Sequence, residues 1–493
     1  MVYSSHTPSI YILDDYSLLN IFYIHRPAIF DGDEVYIGLI QGGKPWDRER
    51  WWYKLAHVCQ RWRCVILGSA SYLKLRLVCT YGTPVADMLA HSPPLPLIID
   101  YFRTDRDITA EDEEGIMLAL QQHNRIHRIR FCTPASKLQK LIVAIDEEYP
   151  ELEYLVMRPS EWRKRTALML PETLQTPRLH HLMLTGFAFP RNCQLLTNAA
   201  SIVTLCLQLN HPDAYFQPNI LLQWLSFMPQ LETLVIYFFV CVPNRDGERQ
   251  LLHTPIIPHV TLPNLRFLVL KGRSAYVEAV ISRITTPHLK KLDIWFFKQL
   301  TFSVPRLQQF MNTANLRFDS AKFEFCRDKV YAGVYLREEF EITQVKMIPL
   351  LMVVHSWHLD WQVSSVAQIF NSLGQVFSTV EHLTLEHREH NRSSEEHNEV
   401  DRSEWQKLFR SFSNVKTLRV GDGLVKELSR SLRLEDGEDP LELLPELQSL
   451  VYSGIGDPGD AFTSFIVTRQ NAGCPVTLVN PNPRPLTPDI WVW

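Results

Sequence analysis

A chain of 493 residues with a formal net charge of −4 is too long for one compact hydrophobic core, whereas a repeat protein can reach this length because each repeat contacts only its neighbours. Apolar residues (46%) and charged residues (21%) occur at the frequencies of ordinary folded proteins. The negative charge argues against a general nucleic-acid-binding role, because phosphate binding needs concentrated positive charge.

The cysteines and the apolar runs indicate a cellular compartment. Nine cysteines occur singly, without a CxxC pair. The first residues lack the basic start and apolar run of a signal peptide, and no apolar run has the length of a membrane span. We therefore expect an intracellular protein, in the cytoplasm, the nucleus or both, with free thiols.

The first 70 residues predict a small helical domain. An aspartate cap and an apolar stripe predict a helix over residues 14–24. Residues 27–50 contain proline, paired glycines and acidic residues, and predict a polar loop. Residues 50–67 have helical character and are rich in tryptophan.

Two stretches of this segment carry a distinct pattern: Leu13, Leu18, Leu19 and Phe22 in the first, and Val58, Cys59 and Trp62 in the second. This pattern resembles an F-box, a motif of about fifty residues in three helices. In that family the motif docks on the Skp adaptor of a cullin–RING ubiquitin ligase, so the resemblance implies the same partner for this chain. The alternative is that these residues pack against each other and cap the repeats that follow. The residues that carry the match, and that the resemblance implies as adaptor contacts, are Leu13, Leu18, Leu19, Phe22, Val58, Cys59 and Trp62.

A short sequence motif, which we call the strand phrase, occurs ten times after residue 120. It consists of an apolar residue, two spacer residues, a position that is usually leucine, one spacer residue and a final apolar residue. From Ile126 to Leu289 the spacing between copies is 23 to 34 residues, the period of leucine-rich repeats. The two strand positions of each copy are Ile129/Phe131, Leu155/Met157, Leu182/Leu184, Leu205/Leu207, Leu234/Ile236, Leu268/Leu270, Leu292/Ile294, Leu383/Leu385, Leu418/Val420 and Leu450/Tyr452.

This phrase predicts a strand with one buried face, because residues two apart point to the same side of a strand. Six copies carry a proline where a preceding helix would stop, and the stretches between copies have helical periodicity. We therefore predict an α/β fold: a curved solenoid over residues 71–480 with a parallel sheet on the concave side and helices on the convex side. Its first strands are expected at 75–77 and 97–99, with a short helix after Thr83 and Pro84.

Three stretches depart from the repeat. At 318–360 the period is lost, and alternating apolar residues suggest longer strands, for example a hairpin laid onto the arc. The loop at 387–401 is charged; its three histidines could bind a metal, but a solvated loop is the favoured interpretation. The tail at 481–493, rich in proline and ending with two tryptophans, is expected to run extended and to cap the last repeat or lie in the groove.

Positions that alternate with the buried leucines define the predicted concave face. An apolar centre with a basic rim is typical of a protein-binding site. The alternative is that strand propensity alone placed apolar residues there. The predicted partner contacts are Arg128, Arg130, Val156, Arg158, Met183, Val235, Tyr237, Phe267, Val269 and Trp295.

The sequence offers no motif for bond chemistry. It lacks a phosphate-binding loop, an HExxH helix, a GxSxG turn and paired cysteines for zinc. We therefore expect neither an enzyme nor a cofactor or metal, and neither nucleic acid nor membrane as a partner. The F-box-like stretches and residues 67–87, taken together, resemble an expanded group of fungal F-box-like proteins with leucine-rich repeats. That resemblance implies a substrate receptor of a Skp–cullin–F-box ubiquitin ligase; the alternative is an interaction scaffold whose head engages no ligase.

Overall fold

The computed structural model describes residues 13–27, 49–103, 105–161, 167–190, 193–239, 259–297, 299, 301–314, 316–337, 348–388, 400–433, 439, 441–453 and 461–479. Most of the predicted loop at 27–50, most of the charged loop at 387–401 and the tail at 481–493 lie outside the described residues. The chain divides into two compact units, one ending at Ile202 and one beginning at Val203. The helical segment and the first repeats share the first unit, so the predicted domain boundary at residue 70 stays a prediction.

The first unit begins with a helical head, formed by α1 (Asp15–His25), α2 (Trp51–Ala56) and α3 (Gln60–Gly68). The first helix starts where predicted, because the side chain of Asp14 accepts a hydrogen bond from the N–H group of Ser17 at 2.6 Å. Two helices, and not one, occupy residues 50–67. The chain is extended at Cys59, and its sulfur caps the next helix by accepting from the N–H group of Trp62 at 3.4 Å.

Repeating strand and helix units follow the head. The strands of the first unit are β1 (Leu77–Cys79), β2 (Leu97–Phe102), β3 (Ile126–Thr133), β4 (Tyr154–Pro159), β5 (Leu168–Met169), β6 (His181–Thr185) and β7 (Phe187–Ala188). Its further helices are α4 (Val85–His91), α5 (Ala110–Leu120), α6 (Ala135–Ala144) and α7 (Gln194–Thr197), with a 3-10 helix at His123–Arg125. The main sheet has the order β1-β2-β3-β4-β6 and is parallel. Strands β5 and β7 form a separate parallel pair.

The second unit repeats this plan. Its strands are β8 (Thr204–Leu209), β9 (Thr233–Phe238), β10 (Val260–Thr261), β11 (Phe267–Gly272), β12 (Ile284–Thr285), β13 (Lys291–Phe296), β14 (Ser320–Phe325), β15 (Lys329–Tyr335), β16 (Leu350–His355), β17 (His382–His387), β18 (Thr417–Gly421), β19 (Ser449–Ser453) and β20 (Thr477–Val479). Its helices are α8 (Pro218–Ser226), α9 (Ser274–Ile281), α10 (Pro305–Ala314), α11 (Leu359–Ser372), α12 (Arg402–Arg410), α13 (Val425–Leu432) and α14 (Thr463–Asn471). The sheet order is β8-β9-β11-β13-β16-β15-β14-β17-β18-β19-β20, and β10 pairs with β12. No helix within the described ranges has the length and the apolar character needed to cross a bilayer.

The repeated leucines form columns across neighbouring strands. In the second unit Leu205, Leu234, Leu268, Leu292 and Leu350 are successive partners along the ladder, and all five are fully buried. Burying one leucine side chain stabilises a fold by about 1.5–3 kcal/mol, so the column is a major source of cohesion. The predicted register of the repeat is therefore confirmed.

Helices pack against this leucine face. The ring of Phe323 on β14 lies 4.8 Å from the ring of Phe370 on α11, and the ring of Phe325 lies 5.6 Å from Trp405 on α12. Such aromatic contacts stabilise a core beyond the area that they bury. Strand after strand thus places one face on helices, which confirms the predicted α/β repeat class.

The stretch at 318–360 differs from the prediction in its placement. Strands β14, β15 and β16 lie within the sheet and are not laid onto it. Strand β15 runs antiparallel to both β14 and β16, whereas β16 is parallel to β13 and β14 is parallel to β17. The cause is the short turn after β14, closed by a 2.9 Å hydrogen bond from the N–H group of Cys326 to the carbonyl oxygen of Lys329. A connection this short can join only antiparallel strands.

The head closes the free edge of the first strand. Leu77 donates its N–H group on the side of β2, so the carbonyl groups of Arg76 and Val78 face the other way. The indole N–H group of Trp52 donates to the oxygen of Arg76 at 3.2 Å, and the guanidinium of Arg50 donates to the oxygen of Val78 at 3.1 Å. An uncovered sheet edge invites pairing with other chains, and these side chains block it.

Replacing Arg50 with methionine is expected to lower the free energy of unfolding by about 1–3 kcal/mol, because the carbonyl group of Val78 loses its charged donor. Urea denaturation would measure the change. The matched control is Lys54→Met at an exposed position of α2, the helix that Arg50 precedes, and it should stay within about 0.5 kcal/mol of the parent protein. Equal stability of the two variants would contradict a capping role for Arg50.

Candidate functional site

The side chains that alternate with the leucine columns lie on the opposite face of each sheet, which we call the open face. All ten predicted partner contacts lie on strands. Five of them belong to the first unit and five to the second. The two groups are therefore described separately.

Two of the three predicted basic contacts of the first unit, Arg128 and Arg130, are engaged in ion pairs. Arg130 faces Asp100 across the β2–β3 ladder, and a guanidinium nitrogen lies 2.9 Å from a carboxylate oxygen. Both side chains are buried. Arg128 lies 3.8 Å from the carboxylate of Glu49 in the head. A buried, paired arginine is a poor surface contact, because a partner would have to break the pair.

Four of the seven apolar residues predicted at the centre of the face are not accessible. They have between 1% and 6% of their surface exposed, so the interpretation of these four positions as exposed is wrong. The physical reason is that short side chains in the central row lie between longer ones, such as Arg128, whose guanidinium lies 5.1 Å from the ring centre of Tyr154. The four residues are Val156, Met183, Val235 and Val269.

The larger predicted side chains of the second unit do come together. Tyr237, Lys271 and Trp295 are successive ladder partners on β9, β11 and β13, and all three are partly exposed. The ammonium nitrogen of Lys271 lies 5.9 Å from the ring centre of Tyr237 and 5.4 Å from that of Trp295. The ring of Phe239 lies closer, at 4.8 Å. These distances allow cation–π attraction with three rings.

The inserted strands extend this cluster. The ring of Trp295 lies 6.2 Å from that of Tyr331 on β15 and 6.1 Å from that of His355 on β16. His355 faces Lys329 across the β15–β16 ladder, and the ammonium group of Lys329 lies 5.2 Å from the ring centre of Tyr331. We call the combined cluster the aromatic–lysine patch; its members are Tyr237, Phe239, Lys271, Trp295, Lys329, Tyr331 and His355.

Burial and like charges set the protonation of the patch. Burial, assisted by the charge of Lys329, lowers the pKa of Lys271 to about 8. Burial, with Lys271 and Lys329 adding to the effect, lowers the pKa of His355 to about 4. At neutral pH the imidazole is therefore neutral and both lysines carry charge to a large extent. Within the described residues, the indole nitrogen of Trp295 and the Nε2 atom of His355 are buried without a hydrogen-bond partner.

Charges elsewhere on the open face of this unit compensate one another. The ammonium group of Lys322 lies 2.6 Å from the carboxylate of Glu386, and the guanidinium of Arg388 lies 2.7 Å from that of Glu324. Lys322 and Glu324 are buried. This network satisfies its own charges, so it has a structural explanation without a ligand. In the described ranges, no group of three or more His, Cys, Asp or Glu side chains is placed to hold a metal ion.

The structure separates the predicted adaptor contacts into core and surface residues. Leu18 and Phe22 are buried within the head, and the ring of Phe22 lies 4.9 Å from that of Trp62. These two residues form the core of the head, so their prediction as surface contacts is corrected. Leu13, Leu19, Cys59 and Trp62 are half-buried, and only Val58, with 59% of its surface exposed, projects fully. For these five an adaptor contact stays a prediction.

Several residues of the candidate site were not identified from the sequence. Lys329, Tyr331 and His355 lie in the stretch where the repeat period is lost, so no face had been assigned to them. Their alternation with buried valines could have shown that they share a side of their strands. In the head, Tyr16 and Ile24 are 74% and 78% exposed, and neither of them was assigned to a surface from the sequence.

Within each unit, copies of one strand phrase are stacked in lateral register with helices on the leucine face, and this arrangement defines a leucine-rich-repeat protein. Comparison of the sequence with protein families and with curated proteins found no match. Among solved structures, the chain is similar to that in a TLR13–ssRNA13 complex, with 14% identity over 79% of this chain and 47% of that chain and a TM-score of 0.28. It is also similar to the leucine-rich-repeat-containing protein LegL7 from Legionella pneumophila, with 11% identity over 81% of this chain and 98% of that one and a TM-score of 0.24. The chain thus spans about half the length of the TLR13 chain, and the repeat assignment depends on the strand register and not on either likeness.

The low pKa of His355 makes stability depend on pH. Its folded pKa of about 4 lies below the usual value of about 6.5, so the unfolded chain takes up a proton first as the pH falls. The free energy of unfolding should therefore decrease from about pH 6.5 towards pH 4. His355→Gln is expected to reduce the slope of the free energy of unfolding against pH in this range, by the equivalent of up to about one bound proton. Urea denaturation at several pH values would measure the slope. An unchanged pH dependence would show that the imidazole is not held neutral by its surroundings.

Proposed function

We propose that this chain is a non-catalytic recognition protein that binds another protein through the open face of its second unit. The aromatic–lysine patch is the observation that carries this proposal. Tryptophan and tyrosine dominate the energetics of protein interfaces, because they bury much area at a small cost in conformational entropy. Here both residue types are partly exposed side by side, although neither sheet formation nor helix packing requires this.

The pattern of basic residues favours a protein over a nucleic acid as the partner. Nucleic-acid surfaces offer a continuous basic groove along which phosphates run. On the open face, Arg130 and Lys322 are each paired with a carboxylate. The patch itself contributes two lysines at one place, which suits a local contact with a folded or extended polypeptide.

Substituting the patch is expected to abolish binding of the partner while leaving the fold intact. The double variant Tyr237→Ala with Trp295→Ala should lose the proteins that the parent chain captures from its cellular extract. Quantitative mass spectrometry of the captured proteins would measure this loss, and circular dichroism would check the fold.

The matched control is Trp361→Ala on α11, since that indole is also accessible, with 45% of the residue's surface exposed. It should retain the captured proteins. Retention of every captured protein by the double variant, or equal loss by both variants, would contradict a binding role for the patch.

We further propose that the head links this receptor to the Skp adaptor, and through it to a cullin ubiquitin ligase. Two observations favour this role: the head folds as three helices, and Val58 of its F-box-like phrase projects from the turn between α2 and α3. In this proposal the chain holds a target near the ligase, and the other subunits perform the ligation through proximity. A cytoplasmic or nuclear location belongs to the same proposal. If the head binds no adaptor, the chain remains an interaction scaffold.

Val58→Asp is expected to weaken binding of a purified Skp adaptor at least tenfold, because it places a charge within an apolar contact. Biosensor titration would measure the affinity. Val143→Asp, at an equally exposed valine (68%) on α6, is the matched control and should bind as the parent does. Deleting the first 70 residues is a poor substitute for this test, because Arg50 and Trp52 close the edge of β1. If the parent chain does not bind the adaptor, the ligase role is abandoned.

A further inference from the structure

We propose that the aromatic–lysine patch receives an acidic segment of the partner polypeptide, with a carboxylate of that segment seated beside Lys271. This inference rests on the proposed binding role of the open face and adds the chemistry of what it recognises. It depends on three features of the patch: an unbalanced positive charge, hydrogen-bonding groups without partners, and walls of aromatic rings.

Among the described residues, the charge of Lys271 has no counter-charge, whereas Lys329 and His355 have the carboxylate of Asp328 nearby. Within the part of the chain that the structure describes, burial and the charge of Lys329 are what shift the pKa of Lys271, and no carboxylate opposes them. Elsewhere on this face each lysine faces an acid: Lys322 pairs with Glu386 at 2.6 Å, and Lys291 pairs with the buried Asp293 at 3.2 Å. A half-buried cation without an anion costs free energy, and an incoming carboxylate would recover it.

Two hydrogen-bonding groups lie beside this charge. The indole N–H group of Trp295 can only donate, so it requires an acceptor, and an ionised carboxylate offers acceptor positions only. The Nε2 atom of His355 can donate in one of its neutral tautomers. Both atoms are buried without a partner among the described residues. A carboxylate at this place would therefore satisfy an ammonium and up to two nitrogen donors with its two oxygens.

The surrounding rings explain why such a contact would be strong. Tyr237, Phe239 and Trp295 each place a ring centre within 6 Å of the ammonium nitrogen of Lys271. Rings at this distance hold the lysine chain in place and keep water away on their sides. Charge-assisted hydrogen bonds strengthen as water is excluded. Apolar side chains next to the carboxylate in the partner could then pack on the same rings.

Protonation links this site to pH. The titratable groups near Lys271 are Lys329, His355, Tyr237 and Tyr331, and Cys326 and Asp328 lie near Lys329 in the turn after β14. Asp293, whose pKa is raised to about 6 by burial against the opposing effect of Lys291, lies in the adjacent row of β13. A bound carboxylate favours the ammonium form of Lys271. Affinity for the acidic segment should therefore fall as the pH rises through about 8 and Lys271 loses its proton.

The test uses the full chain and two fluorescein-labelled heptapeptides, one of alternating glutamate and leucine and one with glutamine in place of every glutamate. Fluorescence anisotropy at low salt should show the glutamate peptide binding at least tenfold more tightly than the glutamine peptide. Lys271→Met should remove this preference. Lys290→Met, at an exposed lysine just before the neighbouring strand β13, should preserve it.

The variant Lys271→Arg separates charge from packing. Arginine stays protonated at every accessible pH, so this variant should keep the preference for glutamate and lose its decline above pH 8. Equal binding of both peptides by the parent chain, or a preference that survives Lys271→Met, would overturn the inference. In that case the broader binding role is still tested separately, by the proteins that the double variant Tyr237→Ala, Trp295→Ala captures.

Discussion

The lateral alignment of leucines from strand to strand is the constraint on which the rest of the structure depends. A single strand of this repeat buries two or three apolar side chains, too few to offset the entropy of ordering its residues. Stacking places Leu234 between Leu205 and Leu268, so that each leucine completes the packing of its neighbours. Because side chains alternate along a strand, this alignment also determines which residues face outward. The aromatic–lysine patch is thus a product of the same register that builds the core.

Stacked repeats leave their first strand with unpaired backbone groups, and the head resolves this problem with side chains. Trp52 and Arg50 donate hydrogen bonds to two carbonyl groups at the first strand. Leu18 and Phe22 form the core that holds α1 and α3 together. The segment that resembles an adaptor-binding motif therefore also has a structural role, which is to cap the first strand of the sheet. The two roles are compatible, since the capping side chains and the exposed Val58 are different residues.

The sequence was sufficient for the periodic part of the fold because burial there repeats the same few residues. All ten copies of the phrase lie on strands, and Asp14 begins the first helix as its side chain predicts. Exposure was harder to predict. Val235 and Val269 occupy outward positions, but their accessibility depends on the length of the side chains beside them, which one strand does not reveal. The patch was only partly foreseen, since Lys271 and Trp295 meet Tyr331 and His355 through strands whose order in the sheet differs from their order in the chain.

That strand order has a consequence for how the second unit forms. Strand β14 precedes β15 and β16 in the chain, yet both of these lie between it and β13. As the chain emerges, the growing edge at β13 stays open until residues 350–355 arrive, some fifty positions later. Repeat arrays usually propagate from neighbour to neighbour, but here one step must wait for contacts of high sequence separation, which slow folding. The strands that close this gap also supply Tyr331 and His355, so the recognition surface is complete only when β15 and β16 have joined the sheet beside β13.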